Sequence, residues 1–233
     1  MKAVILAGGK GTRLRPYTAS FPKPLVPIGD KPILEIVIEQ LISSGITDII
    51  LAVGHLAELI MAYFTYGDKF ESRIKYSREN EPLGTVGALN LVKNELRETF
   101  LVMNGDVLTD INYQKLIENH KQSGSIATIA LTKRSVNIDF GVAKLNESNN
   151  IIDYLEKPTI HQSVSMGIYI FEPRIFEYIP PNKKFDLPDL VKKLIKNKET
   201  VKGYIHDGYW LDIGRPEDYE KACMDSKTFK GEN

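Results

Sequence analysis

The chain has 233 residues, of which 42% are hydrophobic and 26% charged, an ordinary globular balance sufficient for one large domain or two small ones. Thirty basic and thirty acidic residues cancel, so neither nucleic acid nor an anionic membrane surface is expected as a partner. No apolar stretch reaches the length of a membrane span, and the single cysteine, Cys223, excludes an internal disulfide framework and a cysteine-rich zinc site. The N-terminus leads directly into a strand with no signal peptide, so a cytoplasmic location is expected, and nothing marks an oligomer interface, which leaves self-association open.

In chain order, residues 4–7 read as a strand. Residues 32–44 read as a helix, with Ile33, Ile36, Val37 and Leu41 at helical spacing and Gly45 as its stop. A strand over 48–53, a helix over 56–64 and a strand over 73–77 follow. Then come a helix over 85–96, a strand over 99–103 and a helix over 112–122. This alternation predicts an α/β fold, a Rossmann-like, doubly wound, mostly parallel mixed sheet with helices on both faces. Beyond it, 125–132, 141–145, 151–156 and 164–171 read as short strands of a smaller antiparallel extension suited to an acceptor lobe or lid. Residues 188–197 and 216–224 read as helices, with Cys223 packing in the latter. The expected organisation is a single domain over 1–225, its nucleotide-binding half over 1–110 and its sugar-phosphate half over 111–225, with a polar tail over 226–233. No hexapeptide ladder follows the core, so a left-handed β-helix is not expected.

The strongest local signal is the apolar run Ala3 to Ala7 emptying into Gly8, Gly9 and Gly11, with Arg13 closing the turn and Lys23 standing between Pro22 and Pro24. Glycine has no Cβ to keep a ligand from the backbone, so such a loop lets bare N–H groups approach phosphate oxygens. The added guanidinium and ammonium suit a polyphosphate. The pattern is neither a Walker A loop nor a dinucleotide fingerprint, whose third glycine is missing. Two further acids stand out. Asp106 ends the apolar strand in Asn104-Gly105-Asp106-Val107, where a carboxylate suits a Mg²⁺ ligand or a turn. Asp212 lies in Trp210-Leu211-Asp212-Ile213-Gly214, just ahead of a helix in which Asp218 serves the dipole. The histidines show no ligand spacing. His55 and His120 are read as surface helix residues.

The stretch Leu6-Ala7-Gly8-Gly9-x-Gly11-Thr12-Arg13-Leu14-x-Pro16-x-Thr18, followed by Pro22-Lys23-Pro24-Leu25, resembles the signature of the sugar-phosphate nucleotidyltransferases. The resemblance runs to about residue 222 and includes the Asn-Gly-Asp-Val and Trp-x-Asp-Ile-Gly segments. It implies that an NTP and a sugar 1-phosphate are the substrates and Mg²⁺ the cofactor. It further implies that Asp106 and Asp212 are the paired metal ligands and that Arg13 and Lys23 are the catalytic cations on the triphosphate. Leu6, Ala7, Gly8, Gly9, Gly11, Thr12, Glu81, Gly84 and Thr85 become nucleotide-binding residues. Asn104, Gly141, Glu156, Lys157 and Gly167 become sugar-phosphate-binding residues, with Lys157 the cation on the phosphate. In the family the loop after the third strand reads the base. An ionised Glu81 can only accept hydrogen bonds, which suits the adjacent N1–H and 2-amino donors of guanine. The expectation is therefore a guanylyltransferase acting on a manno-heptose or mannose 1-phosphate. The alternatives are the same chemistry with UTP, CTP or dTTP and a catalytically silent nucleotide-sugar-binding regulator.

Overall fold

A computed structural model of the chain describes residues 1–79 and 81–225; the expected polar tail, 226–233, lies outside the described residues. The elements in chain order are β1 (Lys2–Ala7), β2 (Pro27–Ile28), β3 (Lys31–Pro32), α1 (Ile33–Ser43), β4 (Asp48–Val53), α2 (Ala57–Phe64), β5 (Arg73–Arg78), α3 (Gly84–Gly87), β6 (Phe100–Asn104), β7 (Val107–Thr109), α4 (Tyr113–Ser123), β8 (Ala127–Asn137), β9 (Val142–Leu145), β10 (Ile151–Leu155), β11 (Thr159–Phe171), α5 (Leu187–Lys196), β12 (Val201–His206), β13 (Trp210–Asp212) and α6 (Pro216–Met224).

A seven-stranded sheet in the order β12-β8-β11-β6-β1-β4-β5 forms the body. β5, β4, β1 and β6 run parallel, β11 is antiparallel to both its neighbours, and β12 is parallel to β8. β1, β4 and β6 are buried on both faces, and their side chains alternate between two cores. Ala3, Ile5, Leu101, Met103, Ile49 and Leu51 enter the core under α1, α2 and α4. Val4, Ile50, Phe100 and Val102 enter the core that also holds Leu190 and Leu194 of α5. A third cluster joins Leu14, Ile33 and Leu108 to Leu211, Ile213 and Ala222, and so clamps the β7–β13 ribbon and α6 against the start of the chain.

Five expectations from the sequence are corrected by the structure. Residues 85–96 form a single α-helical turn followed by a 3₁₀ segment over Ala88–Glu95. The buried residues Val86, Leu89 and Val92 recur every three residues, which matches three residues per turn. The strands of the second half are not all short. β8 and β11 belong to the main sheet at one end and project beyond it at the other as an antiparallel ribbon, beside which β9 and β10 pair. β12 is a sheet strand the sequence did not announce. His120 is not a surface residue. It is 1% exposed and packs its ring nitrogens against Thr128 Oγ1 at 2.7 Å and Glu172 Oε1 at 3.1 Å. Its neighbours on the buried face of α4 are Tyr113 and Leu116. His55 is exposed, in the turn before α2 rather than in a helix. Cys223 lies in α6 and is half-buried.

Candidate active site

The parallel strands β1 and β6 are neighbours, so the loops leaving their carboxyl ends meet, as ligand-binding loops do in open α/β sheets. The meeting is close: the Gly105 N–H donates to the Leu6 carbonyl at 3.0 Å. A cleft of about 310 Å³ opens there. It is lined by Leu6, Ala7, Gly8 and Gly9, by Asn104, Gly105 and Asp106, by Lys23 and Pro24, and by Glu79, Pro82, Gly84, Thr85 and Asp186; Glu79 Oε1 lies 3.4 Å from where a Cβ on Gly8 would stand. The cleft thus gathers the glycine loop, one cation, one expected metal ligand and part of the expected base-reading loop.

Local backbone features set these groups. The Gly8 carbonyl accepts the His55 N–H at 3.3 Å, which pins the glycine loop to the turn after β4. Gly11 adopts φ +60° and opens a one-turn 3₁₀ helix, Thr12–Leu14. A Cβ at Gly11 would also stand 3.0 Å from Lys23 Cβ and 3.1 Å from Thr18 Cγ2, so position 11 needs glycine for both dihedral and space. The Thr18 hydroxyl donates to the Gly11 carbonyl at 2.7 Å. That packing carries Lys23 to the cleft, where its ammonium pairs with the Asp106 carboxylate; Lys23 is 12% and Asp106 24% exposed.

Asp212 arrives by a long-range pairing. β13 is antiparallel to β7 with Asp212 opposite Val107, and the Ile213 N–H donates to the Asp106 carbonyl at 3.0 Å. The two acids, more than a hundred residues apart in sequence, therefore face one site. Burial raises the Asp212 carboxyl above its ordinary value, and the Asp106 charge raises it further, while Lys23 and Arg13 oppose the rise. Arg13 stands beside Gly214, its guanidinium carbon 3.9 Å from where a Cβ would be. Asp218 accepts from the N–H groups of Gly214 and Arg215 and completes a capping box at the start of α6. Two carboxylates that repel each other, half out of water, with cations at their flank, form a donor set that fits Mg²⁺, which takes one or two carboxylates and completes its shell with phosphate oxygens and water. Among the described residues no cluster of three or more His, Cys, Asp or Glu has the arrangement of a metal site.

The expected sugar-side residues fall in two places. Asn104 ends β6, and its amide lies against Gly167, where a Cβ would come within 2.7 Å of Nδ2. Gly167 occupies an irregularity in the pairing of β11 with β8, and the Trp210 indole donates to the Met166 carbonyl there at 2.9 Å. Tyr169 stands beside it, hydrogen-bonded through its hydroxyl to Ser165 at 3.1 Å, its phenol pushed up chiefly by burial. A second cleft, lined by Ser165, Tyr169, Asn104, Thr85 and Asp186, adjoins the first. Gly141, Glu156 and Lys157 lie instead on the projecting arm. Glu156 and Lys157 are exposed in the turn between β10 and β11, and Gly141 lies under the Tyr154 hydroxyl. No described contact joins these three to Asp106 or Lys23. At the base-reading loop, Glu81 is exposed and outside the lining of both clefts, whereas Glu79 and Asp186 line the first. Both were missed by the sequence reading. Glu79 follows a strand directly and could have been noticed; Asp186 lies about a hundred residues from the loop it joins.

The nucleotidyl transferase family profile matches residues 2–228, and the chain belongs to that family. Among curated relatives, the UTP–glucose-1-phosphate uridylyltransferase of Synechocystis is 37% identical over 95% of this chain and 62% of its own length. The mannose-1-phosphate guanyltransferase of Schizosaccharomyces pombe is 37% identical over 94% of this chain and 62% of its own. The chain thus spans about three fifths of the curated relatives it matches. Among solved structures, HddC from Yersinia pseudotuberculosis complexed with GMP-PN superposes with a TM-score of 0.75 at 32% identity, covering 97% of this chain and 99% of that one.

Proposed function

We propose that the chain transfers a nucleotidyl group from an NTP to a sugar 1-phosphate, giving a nucleoside-diphosphate sugar and pyrophosphate. The observation that carries this reading is the convergence of Asp106, Asp212, Lys23 and Arg13 at the mouth of a glycine-walled cleft. A phosphate-monoester oxygen forms the new bond to the α-phosphorus while the bond from that phosphorus to the β-bridging oxygen breaks. The nucleophile needs no general base, since its second pKa is about 6 and it is mostly dianionic near neutrality. The protein's task is to align two anions and absorb their repulsion. Gly8 and Gly9 allow close approach of the triphosphate. Lys23 and Arg13 offset its charge as the pyrophosphate leaves. Asp106 and Asp212 would hold Mg²⁺, which supplies further neutralisation and in-line orientation when bound. Asn104 and Gly167 would border the acceptor side, and Lys157 with Glu156 on the arm would hold the sugar phosphate.

For the nucleotide we favour GTP, and for the acceptor a mannose-type 1-phosphate. Support comes from guanyltransferase relatives and from the GMP-PN complex of HddC. The uridylyltransferase relative keeps UTP as the second reading. Pyrophosphate release from GTP, UTP, CTP and dTTP, each with mannose, manno-heptose and glucose 1-phosphates, tests both. Fastest release with GTP is expected, and fastest release with UTP replaces the first reading by the second.

A further inference from the structure

Asp212 is the last residue of β13, and both β13 and its partner β7 have only three residues. The ladder that brings the two acids to one site therefore stops at Asp212, opposite Val107. Two carboxylates at one site repel, and so short a ladder is a weak restraint on their separation. Further restraint has to come from the turn that follows. It runs through Ile213, Gly214 and Arg215 and enters α6 at Pro216. Its backbone donors can be followed one by one, since Pro216 has no N–H. The Ile213 N–H goes to the Asp106 carbonyl at 3.0 Å. The Gly214 N–H is shared between the Asp212 carbonyl at 2.9 Å and Asp218 Oδ2 at 3.3 Å. The Arg215 N–H goes to the same Oδ2 at 3.0 Å. Among the described hydrogen bonds, Asp218 is the one side chain that holds this turn.

A capping box at the start of α6 accounts for the bond to Arg215. It does not call for the second bond, to Gly214, which reaches back toward Asp212. Gly214 is buried, and the Arg13 guanidinium rests against it. No described ion pair joins Asp218 to Arg13, so the hold of Asp218 is on the backbone and not on that cation. The turn is thus tied at one end to the Asp106 carbonyl and at the other to the Asp218 carboxylate, a charged and therefore strong acceptor.

We propose that Asp218 is a positioning residue for the metal pair: by tying the Gly214 and Arg215 N–H groups it keeps Asp212 facing Asp106 and so sets the affinity for the divalent cation. This deepens the nucleotidyl-transfer reading and rests on its assignment of Asp106 and Asp212 as metal ligands. Mn²⁺ takes the same oxygen ligands as Mg²⁺ and reports its own binding by electron spin resonance. It is titrated into the metal-free, full-length wild type and into Asp218→Ala, Asp218→Asn, Asp106→Asn and Asn112→Ala, alongside melting temperatures. Asn112 caps a different helix, α4, its side chain accepting the Lys115 N–H at 2.9 Å. Asp218→Ala should weaken Mn²⁺ binding by about 10–100-fold, the usual effect of losing a group that orients a metal ligand. Asp218→Asn keeps an oxygen that can accept from both N–H groups and should restore most of that affinity. Asn112→Ala should lower the melting temperature, as Asp218→Ala does, and leave Mn²⁺ affinity as in the wild type. Wild-type affinity in Asp218→Ala, an equal loss in Asp218→Asn, or an equal loss in Asn112→Ala overturns the proposal. If Asp106→Asn binds Mn²⁺ like the wild type, the metal-pair reading fails and the proposal falls with it. Affinity lost in Asp106→Asn but kept in Asp218→Ala strikes the role of Asp218 alone.

Discussion

At the scale of single residues the proposed chemistry turns on two acids and two cations. With Asp106 and Asp212 as the metal pair, Asp106→Asn and Asp212→Asn should each lower kcat by orders of magnitude without any loss of melting temperature, and near-normal turnover in both contradicts the assignment. Lys23→Ala should lower kcat as well as kcat/KM, because a cation that meets charge developing on the leaving pyrophosphate acts in the transition state; a rise in KM alone would make it a uniform binder. Asp212 also fixes a pH dependence. Its folded pKa is raised, so the fold favours the protonated form, and ionising Asp212 costs stability as pH rises through that value. The metal-free protein should therefore lose stability from acid toward neutral pH by this contribution, and metal-free Asp212→Asn should be more stable than wild type at pH 7. Mg²⁺ should raise the melting temperature of the wild type at pH 7 to 8 and do so less as the pH falls. Thermal melts of both proteins across pH, with and without Mg²⁺, read all of this. The individual acids were legible in the sequence, Asp106 from its place after an apolar strand and Asp212 through the family resemblance. Their juxtaposition was not, because it depends on three-residue strands, Val107–Thr109 and Trp210–Asp212, too short to show a period.

At the scale of elements, long buried segments were read well and exposed ones poorly. The strand Asp48–Val53 and the helix Pro216–Met224 stand where the apolar pattern and the proline put them. β12, whose residues are half-exposed or exposed on an edge, carried no such pattern. The arm shows the same limit, for no residue from 133 to 163 is buried. Two-stranded ribbons are marginal alone, so the arm's amides should exchange with deuterium much faster than those of β1, β4 and β6. If Lys157 and Glu156 hold the acceptor from this arm, nucleoside-diphosphate sugar should slow that exchange; slow exchange in the free protein, or none altered by the product, speaks against a lid. His120 is the converse case. Its spacing from Tyr113 and Leu116 already put it on the apolar stripe of its helix, and treating histidine as polar hid this. His120→Ala leaves Thr128 and Glu172 short of a partner and should destabilise the fold by about 1–3 kcal/mol in urea unfolding while leaving kcat unchanged.

At the scale of the molecule, a neutral chain concentrates its useful charge at one sheet edge. The alternation of strands and helices sufficed to predict a mostly parallel sheet, and hence that loops after β1 and β6 would meet. It could not show that α5 returns to brace the loop at Gly84, a contact built from residues about a hundred positions apart. Nor does any local pattern specify where the arm stands relative to the cleft. The proposed transfer of a nucleotidyl group between two phosphates would give the glycine loop, the two acids and the arm one task. The most direct test is pyrophosphate release by the full chain given an NTP, Mg²⁺ and a sugar 1-phosphate, beside Asp106→Asn. The structure predicts release that requires all three components and falls by orders of magnitude in the variant. Release independent of the sugar phosphate, or equal in the variant, would contradict it.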